Sequence, residues 1–183
     1  MDDLEPLGWV PVDGRGSLPF TLVHGESLVA AASWALGEAG IVLFDATVGF
    51  DEVRESGRDL VLHDPLCPLT PVEFLGSAAE RCARTGAVVV GFHPVTDTVK
   101  HRESGHLGGT VDRSGLRAVA SPVVVPSAVL SGLESLDTDD FATLVSTLAA
   151  IAPIEWLEAP PLARRVHDAD EIADLEALSR SQR

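Results

Sequence analysis

The chain is poor in aromatic side chains, at 5%, and has no tyrosine. Its two cysteines, Cys67 and Cys82, are too few for a disulfide framework and cannot by themselves supply a four-ligand zinc site. No apolar run approaches the ~20 residues that a membrane-spanning helix requires, and residues 1–20 lack the basic and apolar regions of a secretory leader. Cations are scarce too: 13 Lys+Arg stand against 28 Asp+Glu, a formal net charge of −15. A protein that grips duplex nucleic acid neutralises phosphates with clustered cations, so nucleic-acid partners are not expected. Anionic membrane surfaces are disfavoured on the same ground. These absences lead to the expectation of a cytoplasmic protein with neither nucleic acid nor membrane as a partner.

What is there supports a packed core. Apolar residues make up 45% and charged residues 22% of 183 positions, which fits a single domain over residues 1–183. Any phosphate bound by such an acidic chain must meet a local basic site. Two windows qualify: Lys100, Arg102, Arg113 and Arg117 in one, Arg164 and Arg165 in the other.

Strand and helix signals alternate along the chain. Residues 8–12 are a short apolar stretch, and Asp13-Gly14-Arg15-Gly16-Ser17 reads as a tight loop. Ser27 is placed to cap a helix reaching Leu36, with Gly37 and Gly40 ending it. Residues 41–44 and 60–63 read as buried strands, and residues 87–91 as a third. Between the second and third, Thr70-Pro71 opens a helix running to Arg84. Residues 95–121 alternate polar and β-branched positions around Gly105, Gly108 and Gly109, the pattern of a hairpin leaving the sheet. Helices are expected over 126–136 and 139–150, a strand over 154–157, and a capped helix over 168–179. The order predicts an α/β domain with a largely parallel sheet.

Three ordered motifs carry more. They are Val61-Leu62-His63-Asp64 followed by Pro68, then Pro94-Val95-Thr96-Asp97-Thr98-Val99-Lys100, then Thr110-Val111-Asp112-Arg113 with Ser121-Pro122. Together they closely resemble the 2-C-methyl-D-erythritol 4-phosphate cytidylyltransferases, where Val-x-His-Asp-Ala-Ala-Arg-Pro, Pro-Val-x-Asp-Thr-x-Lys, Thr-x-Asp-Arg and Thr-Pro-Gln segments occur at this spacing. The resemblance is dense over residues 59–136 and thin at both ends. It implies a three-layer, Rossmann-like nucleotidyltransferase domain with a mixed, mostly parallel sheet. It also implies a β-arm over about 95–121 that embraces a second copy, or an intact paralogue in a heterodimer.

The family transfers a cytidylyl group from CTP to a sugar phosphate with Mg²⁺. By motif position, Thr98, Arg113 and Ser121 fall where it grips that phosphate, and Arg165 falls opposite a family lysine. Asp64 falls at a metal-binding aspartate, and Leu162 stands opposite the second one. An Arg fork and a hydroxyl suit a phosphate, whereas one carboxylate makes a weak Mg²⁺ site.

The departures are concentrated in the nucleotide half. The family's Ala-Ala-Gly-x-Gly-x-Arg loop and Pro-Lys are replaced by residues 10–20, where Gly14, Arg15 and Gly16 form a weak nucleotide-binding candidate and Phe20 replaces the lysine. Residues 45–58 leave too little chain for a further strand and helix that the family uses around cytosine, and Cys67 occupies the motif's arginine position. Loss of cations beside a reacting phosphate removes the main electrostatic stabilisation. The reading favours a turnover-impaired, phosphate-binding or regulatory relative; the alternative is an active CTP-dependent cytidylyltransferase using Arg15. His63, His93, His101 and His106 show no metal-ligand spacing. Trp9, Trp34, Trp156 and Cys82 are expected in the core, with Cys67 partly exposed.

Overall fold

A computed structural model of the chain describes residues 4–44, 47–95, 100–103, 106–110 and 116–181. Six strands form one sheet in the order β10-β6-β9-β5-β1-β4. They are β1 (Leu7–Trp9), β4 (Val42–Leu43), β5 (Leu60–Leu62), β6 (Val88–Pro94), β9 (Arg117–Val125) and β10 (Ile154–Glu158). Strand β9 runs antiparallel to β5 and β6, and every other pairing in the sheet is parallel. The mixed, mostly parallel α/β domain is therefore as expected.

Both faces of the sheet are covered, which is why its central strands are continuous apolar runs. Leu60, Leu62, Val88, Val90, Val123 and Val125 face one layer with α5 (Phe141–Ala149). Val61, Val89 and Val124 face the other, with α1 (Leu28–Glu38) and α3 (Val72–Thr85). Helix α6 (Ala169–Ser181) closes a third cluster against Val23, Leu28 and Leu66. Local signals explain the helix ends. The Ser27 side chain accepts from the Ala30 N–H, and α3 stops at Gly86, whose φ of +66° suits glycine.

Close approach shapes β6 against β9. A Cβ on Gly91 would lie 2.6 Å from the Ser121 carbonyl oxygen, where the register shifts between Val90 and Phe92. Here glycine admits the neighbouring backbone at a bulge. Beyond it, β7 (Lys100–Glu103) and β8 (His106–Thr110) pair with each other as a separate two-stranded ribbon within the segment read as an arm.

Several expectations need correction. Strand β4 is an exposed sheet edge, not a buried strand. The short 45–58 segment holds one helix, α2 (Phe50–Glu55), and no strand among its described residues. In the 126–136 segment, only α4 (Ser127–Leu130) is helical. A hairpin of β2 (Leu22–Val23) and β3 (Glu26–Ser27) was not foreseen; its two turn residues, His24 and Gly25, both have positive φ, the backbone that a two-residue hairpin favours. Trp34 is 64% exposed instead of core, and Cys67 is fully buried.

Candidate functional site

The strands β1, β5, β6 and β10 all run the same way, so the loops after their C-terminal ends gather at one edge of the sheet. Open α/β sheets place ligands at such an edge. Asp64 follows β5, the 13–17 loop follows β1, and Arg165 follows β10. The N-terminus of α5 lies beside them: a Cβ on Gly14 would meet Asp139 at 2.9 Å, and Gly14 has φ +73°.

Asp64 is the centre of the arrangement, with only 4% of its side chain exposed. Its Oδ1 accepts from Arg15 Nε at 2.8 Å and from the Leu66 N–H at 3.0 Å, and its Oδ2 accepts from Arg165 Nε at 3.0 Å. Arg15 is itself buried. It donates to the carbonyls of Asp13 (2.6 Å) and Thr138 (3.0 Å), and its guanidinium sits 5.3 Å from the Phe141 ring centroid. Burial of a charge demands such pairing. Arg165 differs: 37% of its side chain is exposed, and it lines a cavity of about 120 Å³ with Asp64, Asp139, Asp140 and Phe141. Asp140 caps α5, and its hydrogen bonds from Thr143 hold its carboxyl below the usual range.

Beneath Asp64 lies a second polar layer. Ser121 Oγ accepts from the Asp64 N–H at 3.1 Å and is 2.5 Å from His63 Nδ1. His63 Nε2 is buried with no partner among the described residues. Burial lowers the His63 pKa to about 4, against the opposing pull of Asp64, so the ring is neutral at pH 7.

The residues named from sequence are thus partly brought together. Asp64, Arg15 and Arg165 form one ion-pair cluster, flanked by Gly14. Ser121 requires correction, because its hydroxyl is fully buried and committed to the strand end, with none of it facing the cleft. Gly16 lies in the same loop at φ +60°, and Phe20 is 61% exposed in a short 3-10 turn. Thr98 and Arg113 lie outside the described residues. Sequence reasoning missed Thr138 and Phe141 as the platform for Arg15; the Asp140 cap is legible, but nothing local says which loop α5 will meet.

The cluster does not fit the Mg²⁺ expected at Asp64. Mg²⁺ is held by one or two free carboxylates plus phosphate and water oxygens. Here both Asp64 oxygens are already taken by guanidinium nitrogens, and Leu162 offers no second ligand. No group of three or more His, Cys, Asp and Glu suited to a metal occurs among the described residues.

No protein-family model matches the chain. In sequence it is 30% identical over 163 residues to the 2-C-methyl-D-erythritol 4-phosphate cytidylyltransferase of Frankia casuarinae, covering 83% of this chain and 60% of that one. The protein of the same name from Nocardia farcinica is 28% identical, covering 91% and 82%. That from Bacillus licheniformis is 29% identical over 115 residues, and the chain spans about half of its length (49%). In structure, the Thermus thermophilus cytidylyltransferase of the same name superposes with a TM-score of 0.69 at 21% identity, covering 97% of this chain and 99% of that one.

Proposed function

From its similarity to the 2-C-methyl-D-erythritol 4-phosphate cytidylyltransferases, we propose that the chain is a divergent, cytidylyltransferase-like relative that binds a small phosphorylated ligand without turning over CTP. The observation that carries this reading is the Asp64 carboxylate, shared between Arg15 and Arg165. Two guanidinium groups supply positive charge where the resemblance expects a metal, and they are fixed to the protein instead of to an incoming nucleotide. With Arg15 buried on Thr138 and Phe141, it is not available as a replacement for the missing loop cations.

Arg165 is partly exposed and lines the small cavity beside Asp64, and a guanidinium there would suit a phosphate monoester. Thr98 and Arg113 would complete that grip from the arm, in a homodimer or in a heterodimer with an intact paralogue. The test is pyrophosphate release from CTP, Mg²⁺ and 2-C-methyl-D-erythritol 4-phosphate at micromolar protein. No release above the protein-free rate is expected. Turnover at an ordinary enzymatic rate, on the order of 1 s⁻¹ or faster, would overturn the proposal and favour the active alternative.

A further inference from the structure

A cavity of about 740 Å³ lies away from the Asp64 cluster and has no place in the proposed function. It is an open trench between α1 and the Pro68–Val72 segment, ended by the β2–β3 hairpin and by Ser179 of α6. Its size falls in the range of small-molecule sites, ~300–1,000 Å³. The trench exists because α1 presents Ala30 and Ala31 there while Trp34, one turn on, stands at the rim with 64% exposure. Leu69, Pro71 and Leu162 continue the apolar lining.

Its polar groups are few. Among the described residues, no Lys or Arg lines the trench. Glu26 is exposed at its mouth, and the neighbouring His24 ring is held by Ser179 Oγ at 2.7 Å. The hairpin is anchored there by the His24 N–H, which donates to Glu176 Oε1 at 2.6 Å, with His24 at φ +49°. A non-glycine residue persists in that conformation only when its surroundings hold it. Thr70 is equally fixed, its hydroxyl donating to the Cys67 carbonyl at 2.8 Å. The trench is therefore built of pinned segments.

We propose that this trench binds a cationic amphiphile: an apolar chain or ring lying over the α1 alanines, with an ammonium group at Trp34 and Glu26. The charge balance decides the class. An anionic head would meet Glu26 in a chain of net charge −15, with no Lys or Arg in the lining among the described residues. A cation instead gains the Glu26 carboxylate, in a lining that also holds the exposed Trp34 ring. This site is chemically unlike the phosphate site, and neither depends on the other.

The experiment is calorimetric titration of the full chain with butyl-, hexyl- and octyltrimethylammonium, with hexanol and hexyl phosphate as comparisons. Affinity should rise about threefold per methylene, and hexyl phosphate should bind at least tenfold more weakly than the ammonium of equal length. Trp34→Ala and Glu26→Gln should each weaken hexyltrimethylammonium about two- to fivefold. Ala30→Phe should block the trench, with thermal unfolding confirming that the variant is folded. Equal binding of hexyl phosphate, no binding of any ammonium at millimolar concentration, or insensitivity to Trp34→Ala and Ala30→Phe would each overturn the proposal. So would dissociation of a wild-type oligomer by Ala30→Phe, which would make the trench a contact between copies.

Discussion

Replacing Arg15 with methionine should cost about 3 kcal/mol of stability, and the structure says why it should cost more than the same change at Arg165. Arg15 is 1% exposed at its side chain and Asp64 4%, so removing the guanidinium leaves a buried carboxylate short of a partner. Breaking a buried pair costs ~3–5 kcal/mol. The carbonyls of Asp13 and Thr138 lose donors as well, at ~1–3 kcal/mol if no water enters. Two effects offset this: Arg165 still holds Oδ2, and the thioether refills the space over Phe141. Arg165→Met breaks a pair whose cation is 37% exposed and screened, so ~1 kcal/mol or less is expected. Urea unfolding reads the difference. With a slope of ~2–3 kcal/mol/M, Arg15→Met should lower the midpoint by roughly 1 M at unchanged slope. Arg15→Met combined with Asp64→Leu should cost less than the sum of the two single changes, since an apolar pair replaces a buried ionic one. Equal effects at Arg15 and Arg165, or strict additivity in the double variant, would refute the buried-clamp reasoning.

Acid should destabilise the fold through His63 before the carboxylates titrate. His63 takes up its proton near pH 6.5 when unfolded and only at about 4 when folded, so the unfolded chain binds more protons across that interval. Stability should thus fall by about 2–3 kcal/mol as pH drops from 6.5 to 4, a slope that His63→Asn removes in pH-resolved denaturant titrations. Gly91→Ala, which forces a Cβ within 2.6 Å of the Ser121 carbonyl, should lose at least ~2 kcal/mol and loosen β6 from β9 in hydrogen exchange. Cys67 and Cys82 are fully buried and burial pushes both thiols up, so a thiol reagent at pH 8 should label neither until denaturant is added.

Much of the scaffold was legible because local chemistry and global burial agree there. Ser27, Pro71 and Gly86 punctuate α1 and α3, and the unbroken apolar runs of β5 and β6 announce strands covered on both faces. Legibility fails where neighbours decide. Val42 and Leu43 look like core but lie in the edge strand, where they are 37% and 42% exposed. Trp34 sits among alanines on an otherwise buried-looking helix, yet α3 and its preceding loop do not close over it. His24-Gly25 lacks the Asn-Gly or Asp-Gly signal of a tight hairpin, so β2 and β3 stay hidden. At the site, the Asp64 motif is readable from its strand-end position. The inward turn of Arg15 is not, because it depends on α5 arriving more than a hundred residues later, with Thr138 and Phe141. Cys67, at the motif's arginine position, is buried for a related reason: the same loop folds under Asp64, donating the Cys67 N–H to the Asp64 carbonyl.

The central claim is that the carboxylate at the end of β5 is committed to arginines and not to a divalent cation. Titration of the full chain with Mn²⁺, followed by the electron paramagnetic resonance signal of the free ion, tests it most directly when Asp64→Asn is run in parallel. Wild type and Asp64→Asn should bind Mn²⁺ alike, with no site tighter than the millimolar range. A tight wild-type site that disappears in Asp64→Asn would contradict it, because Arg15 and Arg165 would then yield that carboxylate to a metal.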